Sequence, residues 1–214
     1  MFDFGNGPVP AHRHVNGGGL VANTARVDRT AYVGPNALVY DHAWVYGDAR
    51  VSGQARVYGQ ARIYGQACIY GQARVSNHAW VSGQARVYGE ALVYDRAQVY
   101  GGATVCGGTR VYGWANVYGQ ARVYGHACVC GQARVYGHAC VWGHARVYCQ
   151  ARVFDRARVL ENAEVYDYAS VCGQAKIGAG VRVQGSTRVD GETPPQPSGR
   201  SLADEFFSRV GGDL

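Results

Sequence analysis

Val or Ile recurs at every sixth residue from Val21 to Val189, 29 times in succession and without one frame shift. Four residues after most of these sits Ala, unbroken from Ala25 to Ala103 and again from Ala115 to Ala175. The typical unit is Val57-Tyr58-Gly59-Gln60-Ala61-Arg62. In a short strand, neighbouring side chains point to opposite faces, so Arg, Val and Tyr read as out, in, out. The third position is almost always Gly, Asn or Asp, as at Gly47, Gly53, Asn77, Asp95 and Asp155. Those residue types tolerate left-handed backbone angles, so each unit turns there. The small fifth residue packs inward beside the turn. A strict short period means one unit stacked on itself around a continuous core.

An aliphatic residue, any three, then a small residue, as in Val33-Gly34-Pro35-Asn36-Ala37 and Val51-Ser52-Gly53-Gln54-Ala55, resembles the hexapeptide-repeat family. The resemblance covers residues 21–189 and implies an all-β fold, a left-handed parallel β-helix of triangular section. It further implies roughly 18 residues per coil. The expected organisation is an irregular N-terminal cap over residues 1–20, the β-helix over 21–192, a Pro-rich linker over 193–200 and a short amphipathic helix over 201–214. Phe2 and Phe4 are expected to cover the first coil, whose unpaired backbone needs protection.

With three units per coil, outward residues form columns. One holds Tyr40, Tyr58, Ser76, Tyr94, Tyr112, Cys130, Tyr148 and Tyr166. A second holds Tyr46, Tyr64, Ser82, Tyr100, Tyr118, Tyr136 and Phe154, and a third Tyr70, Tyr88, Cys106, Tyr124 and Trp142. Stacked aromatics stabilise a flat parallel sheet and offer π faces to a ligand. The other outward position holds fourteen Arg and Lys176. Arg62 is expected between Trp44 and Trp80, a favourable cation–π arrangement. Arg62, Trp44, Trp80, Arg86, Arg122, Tyr88, Tyr124, Arg134, Arg152 and Arg158 are the candidate contacts for an anionic ligand.

Charge agrees with such a ligand. The formal net charge is +6, and the excess lies in the repeat because the segment from Asp190 to Leu214 is acidic. Flat faces offer nothing to enter a duplex groove, so duplex nucleic acid is a poor partner. No apolar run approaches the roughly 18 residues of a membrane helix. The N-terminus, Met-Phe-Asp-Phe-Gly-Asn, lacks the basic and apolar regions of a signal peptide, so a cytoplasmic location is expected. Six of the seven cysteines replace Arg or Tyr within the pattern and Cys149 lies in a turn, which predicts free thiols.

The resemblance extends to acyltransferases, in which a His near an extruded loop acts as general base between subunits. His126, His138 and His144 would be the candidates here, but they occupy turn positions elsewhere filled by Gln, and residues 21–189 contain no extruded loop. Catalysis needs a positioned base and a water-excluding cleft. His126 and His144, one coil apart at about 5 Å, could share a metal only with further ligands. His12-Arg13-His14 is a weak chelation signal. No metal or cofactor is expected.

After Gly191 the period ends. Ser201 caps a helical pattern in which Leu202, Phe206, Phe207 and Val210 share a face, for docking on the chain's own coils or on a partner. The sequence therefore predicts a non-enzymatic rigid scaffold. The resemblance implies a homotrimer of a kind seen in bacterial and phage-borne proteins. It would bind or sequester an anionic, nucleotide-like ligand, or dock a protein. The alternative is an acetyl- or acyltransferase using an inter-subunit His.

Overall fold

The computed structural model describes residues 1–5 and 7–191. The linker and helix expected over 193–214, with Leu202, Phe206, Phe207 and Val210, lie outside the described residues. From Leu20 to Val189 the described chain is a parallel β-solenoid of about nine coils, with 10, 10 and 9 strands on its three sheets and the antiparallel β3 as an eleventh strand of the first. Sheet one begins with the N-terminal strand β3 (Ala11–Arg13), followed by β4 (Leu20–Ala22). Sheet two starts with β5 (Arg26–Val27) and sheet three with β6 (Tyr32–Val33). Successive strands belong to successive sheets, and each pairs with the third strand after it, as Arg62 with Trp80 and Ile63 with Val81.

The alternation follows the six-residue unit. Val and Ile from Val33 to Val183 are buried, with the interior Ala series packed beside them in one cluster. Only Val27 and Val189, at the two ends, are partly exposed. Thr109 interrupts the Ala series and is fully buried; its hydroxyl donates to the Cys106 carbonyl at 2.6 Å, so no polar group is stranded.

The turns run through left-handed backbone, as at Gly107 (φ 71°). Asp41, Asn77, Asp95, Cys149, Asp155, Glu161 and Asp167 adopt the same geometry at φ 56–58°. Several of the acidic ones add a contact that a glycine cannot make. The Gly59 amide donates to Asp41 at 3.0 Å, Gly113 to Asp95 at 3.3 Å and Gly173 to Asp155 at 3.1 Å, each one coil further on. The carboxylate thus offsets the strain of its own turn by tying it to the next.

The N-terminal cap differs from the expected one. β1 (Phe2–Asp3) and β2 (Pro8–Val9) form an antiparallel pair, and β3 lies antiparallel to β4, so β3 covers the first edge of sheet one. The loop after β3 covers sheet three: the Val33 amide donates to Asn16 and the Gly19 amide to Val33, at 3.0 and 2.9 Å. Phe2 is exposed, and Phe4 is buried on the outer face of sheet one against Tyr40 rather than over the open end of the first coil. The end needs hydrogen-bond partners more than apolar cover, and backbone supplies them.

A Cβ at Gly107 would lie 2.6 Å from the Gly125 carbonyl oxygen in the coil above. Gly107→Ala should therefore lower stability by about 1–3 kcal/mol. Chemical denaturation reads this directly, and an unchanged midpoint would mean that the turns are not the rigid parts of the coil.

Candidate binding groove

The turns between sheets one and two carry Gln60, His78, Arg96 and Trp114 in one column. Each is placed by its backbone amide, which donates to the next coil: Gln60 to Asn77 at 2.7 Å, His78 to Asp95 at 2.7 Å, Arg96 to Gly113 at 2.8 Å and Trp114 to Gly131 at 2.7 Å. Asp95 accepts from Asn77 Nδ2 at 3.2 Å and stiffens the same turns. These four side chains border a cavity of about 560 Å³ on the sheet-one side. They also border an adjoining one of about 320 Å³ that reaches Arg62, Trp80 and Gln98 on sheet two. The result is one open groove along the solenoid.

Its chemistry is cationic and aromatic. The Arg96 guanidinium lies 4.5 Å from the Trp114 ring centre, and Trp114 is 55% exposed. Arg62 lies 5.3 Å from Trp44 and 5.4 Å from Trp80, so the sandwich expected from the coil spacing is present. Arg26 covers the other side of Trp44 at 4.9 Å. Such contacts are worth about 0.5–2 kcal/mol each. They hold guanidinium planes beside indoles while leaving N–H donors for an anion.

The ten ligand contacts expected from the sequence fall on two sheets rather than one site. Trp44, Arg62 and Trp80 stack in sheet two, and Arg134 and Arg152 pair further along it. Arg86, Arg122 and Arg158 lie in sheet three, interleaved with Thr104 and Cys140. Tyr88 and Tyr124 flank Cys106 on the same sheet, and Tyr124 stacks on Trp142 at 5.7 Å. Arg86 and Arg122 also border a separate, more polar hollow of about 360 Å³ with Gln84 and Thr104. Trp114 and Arg96 were missed by sequence reasoning, which weighed only the histidines at this position of the turn. The signal that finds them is the column they share with His78, each one coil from the next.

The tyrosine ladders are present but present ring edges. Tyr40–Tyr58, Tyr46–Tyr64, Tyr94–Tyr112, Tyr100–Tyr118 and Tyr118–Tyr136 stack at 4.9–5.1 Å with planes within 5°. Their faces are occupied by one another, so the π surface expected for a ligand is open only where a ladder is interrupted. Among the acidic and basic side chains, Glu164 bridges Arg146 at 3.4 Å and Arg182 at 3.3 Å, which relieves repulsion in the sheet-one column.

The seven cysteines are free, as expected. His126 and His144 stack at 5.2 Å with planes 10° apart, a geometry in which the ring nitrogens do not converge on one point. His138 lies at a different turn, between sheets two and three. His12 pairs with Asn23 at 2.9 Å, whereas His14 is buried against the Ala31 carbonyl at 3.0 Å, so the two are engaged separately. Among the described residues no cluster of three His, Cys, Asp or Glu side chains could hold a metal ion. Among the same residues no helix is long and apolar enough to cross a membrane.

Residues 43–59, one coil that includes Trp44, match the family model of the YdcK β-solenoid repeat. Since the same unit continues through the described coils, the chain is a β-solenoid repeat protein. No curated protein matches it.

Tyrosine ionisation probes the ladders. Tyr148 is held above its ordinary value of 10.0, up to about 12, by burial and then by Glu164 and Tyr166. Tyr88 also reaches about 12, first through hydrogen bonding with the Cys106 thiol and then through burial. The folded values exceed the unfolded one, so this stabilisation is complete below about pH 10 and is lost as pH rises towards about 12. The melting temperature should be level up to about pH 9 and fall across that window, with phenolate absorbance lagging behind free tyrosine. A titration that superimposes on free tyrosine would contradict the stacked, partly dehydrated ladders.

Proposed function

We propose that the chain is a non-enzymatic binding scaffold: a rigid left-handed β-helix of triangular section, assembled as a homotrimer, that holds a nucleotide-like anionic ligand. The observation that carries the reading is the groove in which Trp80, Trp114, Arg62 and Arg96 meet. A phosphate or carboxylate takes the guanidinium donors, and a flat ring lies on the exposed indole of Trp114. The unbroken six-residue period supports a scaffold over an enzyme, because no segment between residues 21 and 189 departs from the coil to close over a substrate. The resemblance to hexapeptide-repeat proteins supports the handedness and the trimer, in which grooves between subunits would add to the one within the chain.

A thermal-shift panel of mono- and cyclic nucleotides tests the ligand class, since binding to the folded state raises the melting temperature with concentration. Trp114→Ala and Arg96→Ala should each weaken the best ligand between about twofold and thirtyfold. A panel without any shift, or equal affinity in both variants, would remove the groove reading. Native mass spectrometry reads the assembly: three chains of 23.0 kDa each are expected, with cargo retained.

A further inference from the structure

Two ladder rungs are held by serine between pairs of tyrosines. Ser76 stands between Tyr58 and Tyr94 on sheet one, and Ser82 between Tyr64 and Tyr100 on sheet two. Each of the four rings is fixed on its far face: Tyr58 by Tyr40, Tyr94 by Tyr112, Tyr64 by Tyr46 and Tyr100 by Tyr118. Their near faces look across two coils, about 9.6 Å at the strand spacing. A ring placed midway would lie about 4.8 Å from each, within the range at which aromatic rings stack. We propose that the rungs at Ser76 and Ser82 bind a planar heteroaromatic ring, and that Arg56 and Arg74 take an anionic substituent of the ring held at Ser76. The inference rests on the ligand-binding reading above and gives a flat ring further stacking positions besides the Trp114 indole.

Three observations carry it. The chain already fills one such position with a ring from elsewhere. Ala22 is the first residue of the sheet-one column, and in its place Phe4 stacks on Tyr40 at 4.9 Å. Phe4 is buried there, so a ring that comes from outside the repeat completes a ladder.

The serines are also buried, at 6% and 9% exposure, yet among the described residues neither hydroxyl has a hydrogen-bond partner. A buried hydroxyl without a partner is unfavourable, and a ring nitrogen or carbonyl at the inner edge of a bound ring would satisfy it. A phenyl ring could not, which selects heteroaromatic over simple aromatic ligands. The other interruptions differ: Cys106 and Cys130 interact through their thiols with the hydroxyls of Tyr88 and Tyr112.

The charge lies beside the first rung. Arg56 and Arg74 are paired directly in register on the same face, and their other neighbours in the column are Leu38 and Leu92. Like charges one strand apart repel, and a bound anion between them relieves that repulsion. Trp80, two residues before Ser82, and its register partner Arg62 border the groove.

The test compares AMP with ribose 5-phosphate, the same anion without the base, by calorimetric titration of the full chain and of Ser76→Tyr/Ser82→Tyr. Tyr is the residue that the repeat places at these positions, so the double variant should melt at or above the parent temperature. The expected result is at least tenfold weaker AMP binding in the variant and unchanged ribose 5-phosphate binding. Unchanged AMP affinity in the variant overturns the inference, as does equal affinity of the parent for both probes. AMP binding that survives Ser76→Tyr/Ser82→Tyr but is lost in Trp114→Ala overturns the rungs and leaves the groove. The opposite pattern supports the rungs and overturns the groove.

Discussion

Backbone amides of one coil find their acceptors in the next, and this coil-on-coil pairing is what the rest of the structure depends on. Arg62 donates to Ala79 at 2.9 Å, Tyr64 to Val81 at 3.0 Å and Gln66 to Gly83 at 2.8 Å, and the pattern repeats on every sheet. A coil one residue longer or shorter would reverse inward and outward residues as well as break hydrogen bonds. The same pairing stacks like on like. Val on Val gives a continuous core and Tyr on Tyr gives ladders, but Arg on Arg would repel. The columns answer in part by interleaving Trp44, Trp80, Thr104, Cys140 and Glu164 among the arginines, while Arg56 with Arg74 and Arg134 with Arg152 remain direct neighbours.

A solenoid without inserted loops can acquire chemistry only by substitution within its repeat. One coil concentrates the departures. Where the unit normally reads Tyr, Gln, Arg, Tyr on the outside, the stretch Ser76, His78, Trp80, Ser82 replaces all four. Those residues face sheet one, the turn and sheet two in order. The groove of Arg96 and Trp114 opens over the same coil. Two serine rungs and an aromatic, cationic groove therefore share one stretch of the coil, and stacking with charge pairing is the chemistry that stretch offers.

The core was legible in the sequence because it depends on local periodicity alone: Val, Ile and Ala at fixed offsets bury as expected. Contacts between repeats were legible wherever counting by whole coils reached them, as with Arg62 between two indoles and His126 over His144. Features outside that counting were not. Phe4 precedes the repeat, so its place over Ala22 depends on the path of the N-terminal hairpin. The carboxylates of Asp41, Asp95 and Asp155 reach the next coil, which a reading of backbone tolerance within one turn does not show. The ladders offer edges instead of faces because stacking consumes the faces, and that shifts attention from the tyrosines to the serines between them.

Pulsed spin-label distances along one turn column test the coil register most directly. Nitroxides attached through an introduced ketone-bearing residue leave the native thiols untouched. Placed at Gln60 and Gln132, four coils apart, they should be separated by about 19 Å at the backbone, and at Gln60 and Gln150, five coils apart, by about 24 Å. An increment of about 5 Å per coil is the predicted result. Distances that fail to rise by that step would mean a different coil length, and with it the loss of the ladders, the serine rungs and the groove.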